Sequence, residues 1–247
     1  MIYIRSLQFN KSKILDLLLS NFKSYSPDFE DFILYYIFYD IPNGFYIDVG
    51  AHDPNEWSVT KFFYDRGWHG INIDPLPYKY PLFEKYRRRD INLQIAAGNK
   101  KGNATLNVRN DMSSMLYSKN ENNTNIINIK VDTLSNICRK YVPIELQIQF
   151  CKIDVERAEK LVLLGYDFIN YRPKIFCIES LFNERTNSSE YKEWEYILTK
   201  NDYGFVFKYG KNRYYYDKRQ AYLKTKFNLI DFYINKYYNK YKYRKKK

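Results

Sequence analysis

The chain has 247 residues, with 40 Lys+Arg against 28 Asp+Glu, a formal balance of +12. Hydrophobic residues make up 45% and aromatic residues 19% of it, with only 9 Gly and 8 Pro; such a chain buries a substantial core, which excludes wholesale disorder and collagen-like structure, and its length suits one domain with appendages. Three cysteines, at 138, 151 and 177, make no disulfide framework, and no CxxC or Cys/His cluster has zinc spacing, so the expected setting is a reducing one, the cytoplasm.

Residues 1–43 are expected to form a helical extension. Ile14, Leu17, Leu18 and Phe22 recur at helical spacing, as do Phe29, Phe32, Ile33 and Tyr36, with Ser26-Pro27-Asp28 as the start of the second helix. Neither Ile14–Leu19, interrupted by Asp16, nor the eight residues from Phe32 to Tyr39 is long enough to span a membrane or reads as an export signal.

From residue 44 the chain alternates. Short apolar runs at 45–49, 70–74, 91–96, 148–154 and 174–179 predict strands, with helices over 55–66, 75–89, 131–141, 156–164 and 191–200 between them. A small strand is expected at 104–108, loop over the Asn/Ser-rich 109–127, and a closing strand pair at 204–207 and 213–216. Strand–helix alternation with near-continuous apolar strands predicts an α/β fold, a doubly wound, mostly parallel sheet covered on both faces over 44–223. Residues 224–247 hold nine Lys/Arg and one Asp, a balance of +8 that leaves +4 for residues 1–223. The +12 that pointed to nucleic acid over the whole chain is thus mostly a property of a basic aromatic tail. Phe227, Ile230, Ile234, Tyr237 and Tyr241 fall at helical spacing there, giving a C-terminal helix that either packs on the domain or touches a membrane surface or acidic glycan.

In an open α/β sheet, ligands bind beyond the carboxyl ends of the strands. Those ends carry Asp48 and Gly50, Asp74, Ala96-Ala97-Gly98, Asp154 and Glu179. The first turn, Asp48-Val49-Gly50-Ala51-His52-Asp53, lacks the glycines of a pyrophosphate or NTP loop. An Asp before a single Gly suits a ligand with an ammonium group, and Asp74, ending the next strand, is placed to accept two ribose hydroxyls. An amino acid and a ribose in one ligand point to S-adenosylmethionine.

The stretches YIDVGAHDPNEWSVTKFFYDRGWHGINIDP, RDINLQIAAGN, SSML, IKVDTL, KIDVERAEKLVLLG, RPKIFCIES and EWEYIL, then GKNRYYY, span roughly residues 44–216 in order. They resemble the FkbM-type methyltransferase family, with KIDVE-x-AE the most distinctive block. The resemblance implies a Rossmann-like, S-adenosylmethionine-dependent methyltransferase, commonly an O-methyltransferase of glycan or secondary-metabolite pathways. It implies that Asp48, Gly50 and Ala51 hold the methionine side, with Ser58 following in the first helix. Asp74 and Pro75 then hold the ribose and adenine end, Ala97 lies by the adenine, and Asp154 and Glu156 face the acceptor. The sequence departs from the family at Arg157, where Gly is usual after the VE.

Methyl transfer to a sugar hydroxyl needs alignment and removal of a proton. Asp154 is the first candidate for the base, acting late because a carboxylate is a far weaker base than an alkoxide; His52 is a second proton acceptor. Alternatively Asp154 and Glu179, with Glu156, hold a divalent ion that acidifies the hydroxyl. Adjacent strand-end carboxylates repel unless an ion, a proton or a cation such as Lys152 or Arg157 intervenes. Trp57, Trp68 and Trp194 are expected in packing roles. The expected acceptor is a nucleotide-activated sugar or a surface glycan, with an RNA ribose methyltransferase and a non-catalytic scaffold as the alternatives; the sequence allows a homo-oligomer.

Overall fold

The computed structural model describes residues 22–109, 112–114, 125–183, 188–230 and 232–234. In chain order its elements are α1 (Glu30–Phe38), β1 (Phe45–Val49), α2 (Lys61–Tyr64), β2 (His69–Ile73), α3 (Tyr80–Tyr86), β3 (Ile91–Leu93), β4 (Ala96–Gly98), β5 (Gly102–Arg109), β6 (Met112–Ser114) and β7 (Asn125–Thr133). There follow α4 (Leu134–Tyr141), β8 (Ile148–Ile153), α5 (Glu159–Leu164), β9 (Ile175–Glu179), β10 (Phe182–Asn183), β11 (Ser188–Ser189), α6 (Glu195–Thr199), β12 (Tyr203–Tyr209), β13 (Asn212–Asp217) and α7 (Tyr222–Phe227).

Seven strands form the main sheet in the order β12-β13-β9-β8-β1-β2-β3. The run β3-β2-β1-β8-β9 is parallel, and the β12–β13 hairpin joins it antiparallel. This is a Rossmann-like arrangement. β1, β8 and β9 are buried along their whole length, as their mostly apolar sequences demand. Successive side chains alternate between two cores. Tyr46, Phe150, Cys177 and Tyr214 face one packed by α1, α2 and α7; Ile47, Cys151, Phe176 and Tyr215 face the other, packed by α4, α5 and α6. The three cysteines are buried and free.

Several expected elements change length, each for a local reason. The helix expected over 55–66 is only Lys61–Tyr64, because Pro54 and the left-handed Trp57 (φ 54°) keep the preceding turn irregular. The helix expected from 156 begins at Glu159, because Glu156 and Arg157 are left-handed too (φ 51° and 81°). The strand expected over 91–96 is split: Ile91–Leu93 ends the main sheet, and Ala96–Gly98 crosses to a second sheet of order β4-β7-β5-β6. Residues 131–133, expected in a helix, end the long strand β7, and Thr133 then caps α4 by accepting from the Asn136 N–H. Part of the loop expected over 109–127 is strand, in β6 and the start of β7; the remainder lies outside the described residues, as do the helix expected around Ile14–Leu18 and the tail from 235.

The two ends of the described chain pack on each other. Leu223, Phe227, Ile230, Tyr233 and Ile234 join Phe22 and α1 in one core, with the Tyr36 and Tyr233 rings 5.0 Å apart. Among the described residues no helix is long and apolar enough to cross a membrane.

Candidate active site

The carboxyl ends of β1, β2, β8 and β9 open into a cavity of about 290 Å³, close to the lower end of small-ligand sites. Asp48, in β1, is buried, and its Oδ2 accepts from the Thr60 hydroxyl at 3.0 Å. Burial pushes its carboxyl up to about 6, against the pull of Lys152, the Thr60 hydrogen bond and Arg87. Two residues on, Gly50 is left-handed (φ 78°), and a Cβ there would lie 1.8 Å from the Asp154 carbonyl oxygen. Only glycine lets the β1 turn pass this close to the end of β8. Asp74, just past β2, accepts the His52 and Leu76 N–H groups on its two oxygens, both at 2.9 Å. These fix the plane of its carboxylate at the cavity wall, and burial raises this group also to about 6. Pro75, Leu76, Ile95, Ala97 and Leu106 give the cavity an apolar end beside it.

The other end is acidic. Asp154 Oδ2 accepts from the buried Lys152 ammonium at 2.8 Å. Asp154 and Glu179 are hydrogen-bonded to each other, and their environments push the two carboxyls in opposite directions. Burial and the Asp154 charge drive Glu179 up to about 9. Burial would also raise Asp154, but Lys152 and the hydrogen bond from Glu179 outweigh it and hold Asp154 low. A proton and cations thus both offset the paired carboxylates: Lys152 holds Asp154, and Lys211 Nζ lies 3.7 Å from Glu179 Oε1. Arg157 instead pairs with Glu190 at 3.1 Å, its side chain half exposed. Ligand atoms of Asp154, Glu156 and Glu179 lie within 4.8 Å of one another, a spacing that suits a divalent ion.

The turn that carries Glu156 is pinned from the following helix. Glu159 Oε1 accepts the N–H groups of Val155 (3.1 Å) and Arg157 (3.3 Å), which compensates for the two left-handed residues between β8 and α5. Arg157 keeps the backbone conformation that a glycine would adopt without strain. Arg157→Gly is therefore expected to stabilise the fold by about 1 kcal/mol, raising the melting temperature by roughly 2–4 °C. A lowered melting temperature would show that the Glu190 ion pair outweighs the backbone term.

Of the residues expected in the site, Asp48, Gly50, Ala51, His52, Asp74, Pro75, Ala97, Asp154, Glu156 and Glu179 all line the cavity. Ser58 does not. It is buried ahead of α2, and its hydroxyl accepts from Arg87 Nη2 at 2.8 Å. The same guanidinium donates to the Pro54 carbonyl (2.9 Å) and to Thr60 Oγ1 (3.3 Å), so it braces the turn and the Asp48 partner from behind. Trp68 and Trp194 are packing residues, as expected; Trp57 is 64% exposed and lines the cavity.

The sequence reading missed the wall that the N-terminal extension supplies. The N-terminal extension brings Pro27, Asp28 and Glu30 to the cavity, opposite Lys211 and Asn212 of the β12–β13 hairpin. Glu30 Oε1 accepts from Asn212 Nδ2 at 2.9 Å, and Asp28 Oδ2 from the Lys211 N–H at 3.2 Å. A glutamate directly followed by an aspartate at the start of an otherwise apolar helix was the available signal.

A parallel sheet with carboxylates at successive strand ends and an antiparallel closing hairpin defines a Rossmann-like fold. The FkbM methyltransferase domain matches residues 48–207, more than half of the chain, and the chain belongs to that family. Among solved structures, the crystal structure of methyltransferase FkbM from Methylobacillus flagellatus KT is similar at 16% identity and a TM-score of 0.47. The match covers 71% of this chain and 44% of that one, so the present chain spans less than half the length of that relative. No curated protein matches the chain.

Proposed function

We propose that the chain is an S-adenosylmethionine-dependent O-methyltransferase acting on a sugar hydroxyl of a nucleotide-activated sugar or a surface glycan. The observation that carries this is one cavity whose two ends differ. An apolar end beside Asp74, with Asp48 further along, suits adenine, ribose and amino-acid ammonium in turn. The acidic end at Asp154 suits a hydroxyl donor. The cofactor supplies an electrophilic methyl on a sulfonium. Asp154, kept ionised by Lys152, accepts the hydroxyl proton as the C–O bond forms and the S–C bond breaks, its electron pair remaining on sulfur. Seven carboxylates against two lysines line the cavity, which opposes entry of phosphate; an RNA backbone is disfavoured, and a nucleotide-activated sugar would enter by its ring with the diphosphate left outside. A buried set of free cysteines suits a cytoplasmic setting.

A second reading has specific support in the spacing of Asp154, Glu156 and Glu179. A divalent ion held there would replace the proton on Glu179 and acidify the hydroxyl. Methyl transfer to a glycan and nucleotide-sugar panel, assayed with and without chelator, separates the two. Loss of turnover with EDTA, restored by magnesium, selects the ion.

Cofactor binding carries its own test. Asp48 and Asp74 both titrate near 6 in the free protein, and each must be ionised to take an ammonium or ribose hydroxyls. Protonation competes with binding, so affinity for S-adenosylmethionine is expected to fall as pH drops through about 6, with protons released on binding there. Titration calorimetry in buffers of different ionisation heat reads both effects. Equal affinity at about pH 7 and about pH 5 would dismiss the assignment of these two carboxylates, and no binding at all would dismiss the methyltransferase reading.

A further inference from the structure

The chain has three tryptophans. Trp68 and Trp194 are 3% and 1% exposed, whereas Trp57 is 64% exposed at the cavity rim. Leaving an indole in water forgoes one of the largest burials a side chain can make. Trp57 is also held left-handed (φ 54°), a conformation that a bulky residue adopts only where its surroundings impose it. Its ring lies against that of His52, with centroids 5.8 Å apart and planes 19° apart. His52 is left-handed in turn (φ 57°), and its N–H is anchored on Asp74. Two strained residues thus hold an apolar plane open at the rim of a cavity that also presents Asp154, Glu156 and Glu179, and neither core needs that plane.

We propose that Trp57, backed by His52, is the platform on which the acceptor's sugar ring lies, a specificity-determining contact that rests on the saccharide reading above. A pyranose has an apolar C–H face and a hydroxyl edge. Trp57 takes the face, and Asp154, Glu156 and Glu179 accept from the edge, so the two together orient one hydroxyl toward the methyl group. The cofactor makes no demand on Trp57: its adenine, ribose and ammonium are matched by the apolar end, Asp74 and Asp48.

Trp57 being the exposed tryptophan, acrylamide quenching of indole emission reports on it directly. The probes are S-adenosylhomocysteine and a panel of methyl glycosides, with titration calorimetry alongside. S-adenosylhomocysteine alone is expected to leave Trp57 open to quencher. A glycoside that binds the S-adenosylhomocysteine-loaded protein shields it. Trp57→Ala weakens that glycoside roughly tenfold, about 1.4 kcal/mol, with S-adenosylhomocysteine affinity unchanged, and Trp57→Phe recovers most of the loss. Shielding by S-adenosylhomocysteine alone would assign the platform to the cofactor and overturn the proposal. So would a glycoside that binds wild type and Trp57→Ala equally, while leaving the saccharide reading intact. If S-adenosylhomocysteine binds and no glycoside does, the saccharide reading falls and the platform with it.

Discussion

Replacing Asp154 with asparagine is expected to slow methyl transfer roughly 10²–10⁴-fold, the usual contribution of a positioned base, with S-adenosylmethionine binding retained. Asparagine preserves the shape and an oxygen for the Lys152 ammonium, but it cannot take the acceptor proton or serve as an anionic metal ligand. Stability would ordinarily suffer, since a buried ammonium left without its counter-charge costs about 3–5 kcal/mol. Here Glu179 limits the loss. It holds a proton because of burial and the Asp154 charge; with that charge removed it ionises and balances Lys152. Denaturant unfolding should therefore show a loss below about 3 kcal/mol for Asp154→Asn and a larger one when Glu179→Gln is added. Turnover within about tenfold of wild type would dismiss Asp154 as base and ligand alike.

Gly50→Ala is expected to do the most damage for a single methyl group. The new Cβ would meet the Asp154 carbonyl oxygen at 1.8 Å, and the contacted atom is backbone, which cannot swing aside. The left-handed φ of 78° adds strain. Together they should cost about 3 kcal/mol or more, lowering the melting temperature by roughly 6–12 °C. Relief comes only by parting the ends of β1 and β8, which carry the Asp48 and Asp154 walls, so cofactor binding should be lost as well. A thermal melt and a calorimetric titration check both; a variant that melts near wild type and binds normally would contradict the close approach of the two strand ends.

The sheet was legible because its strands are covered on both faces. A segment such as Phe45–Val49 does not alternate between apolar and polar residues, and the rule that ligands sit beyond parallel strand ends then picked out Asp48, Asp74, Asp154 and Glu179. What escaped has two physical causes. Left-handed backbone at non-glycine residues leaves no mark in composition: Trp57, Glu156 and Arg157 read as helix formers, and the helices drawn through them were too long. Contacts between distant segments leave no local pattern either. Arg87, inside an Arg-Arg-Arg run, looks solvated until the turn at Pro54–Thr60 closes over it.

The hydrogen bond between Glu30 and Asn212 spans 182 positions of the chain, and this dictates an order of events during synthesis. Glu30 leaves the ribosome early, in a helix whose apolar side has no sheet to cover. Its partner is made 182 residues later. Closure entropy must be met before such a contact returns anything, so the acidic wall is a late step of folding. A ribosome-bound chain halted before the β12–β13 hairpin would hold most of the parallel strands with an unfinished pocket and an uncovered α1. Such an uncovered apolar helix is open to chaperone capture and aggregation, and the pocket is complete only once the β12–β13 hairpin has met α1.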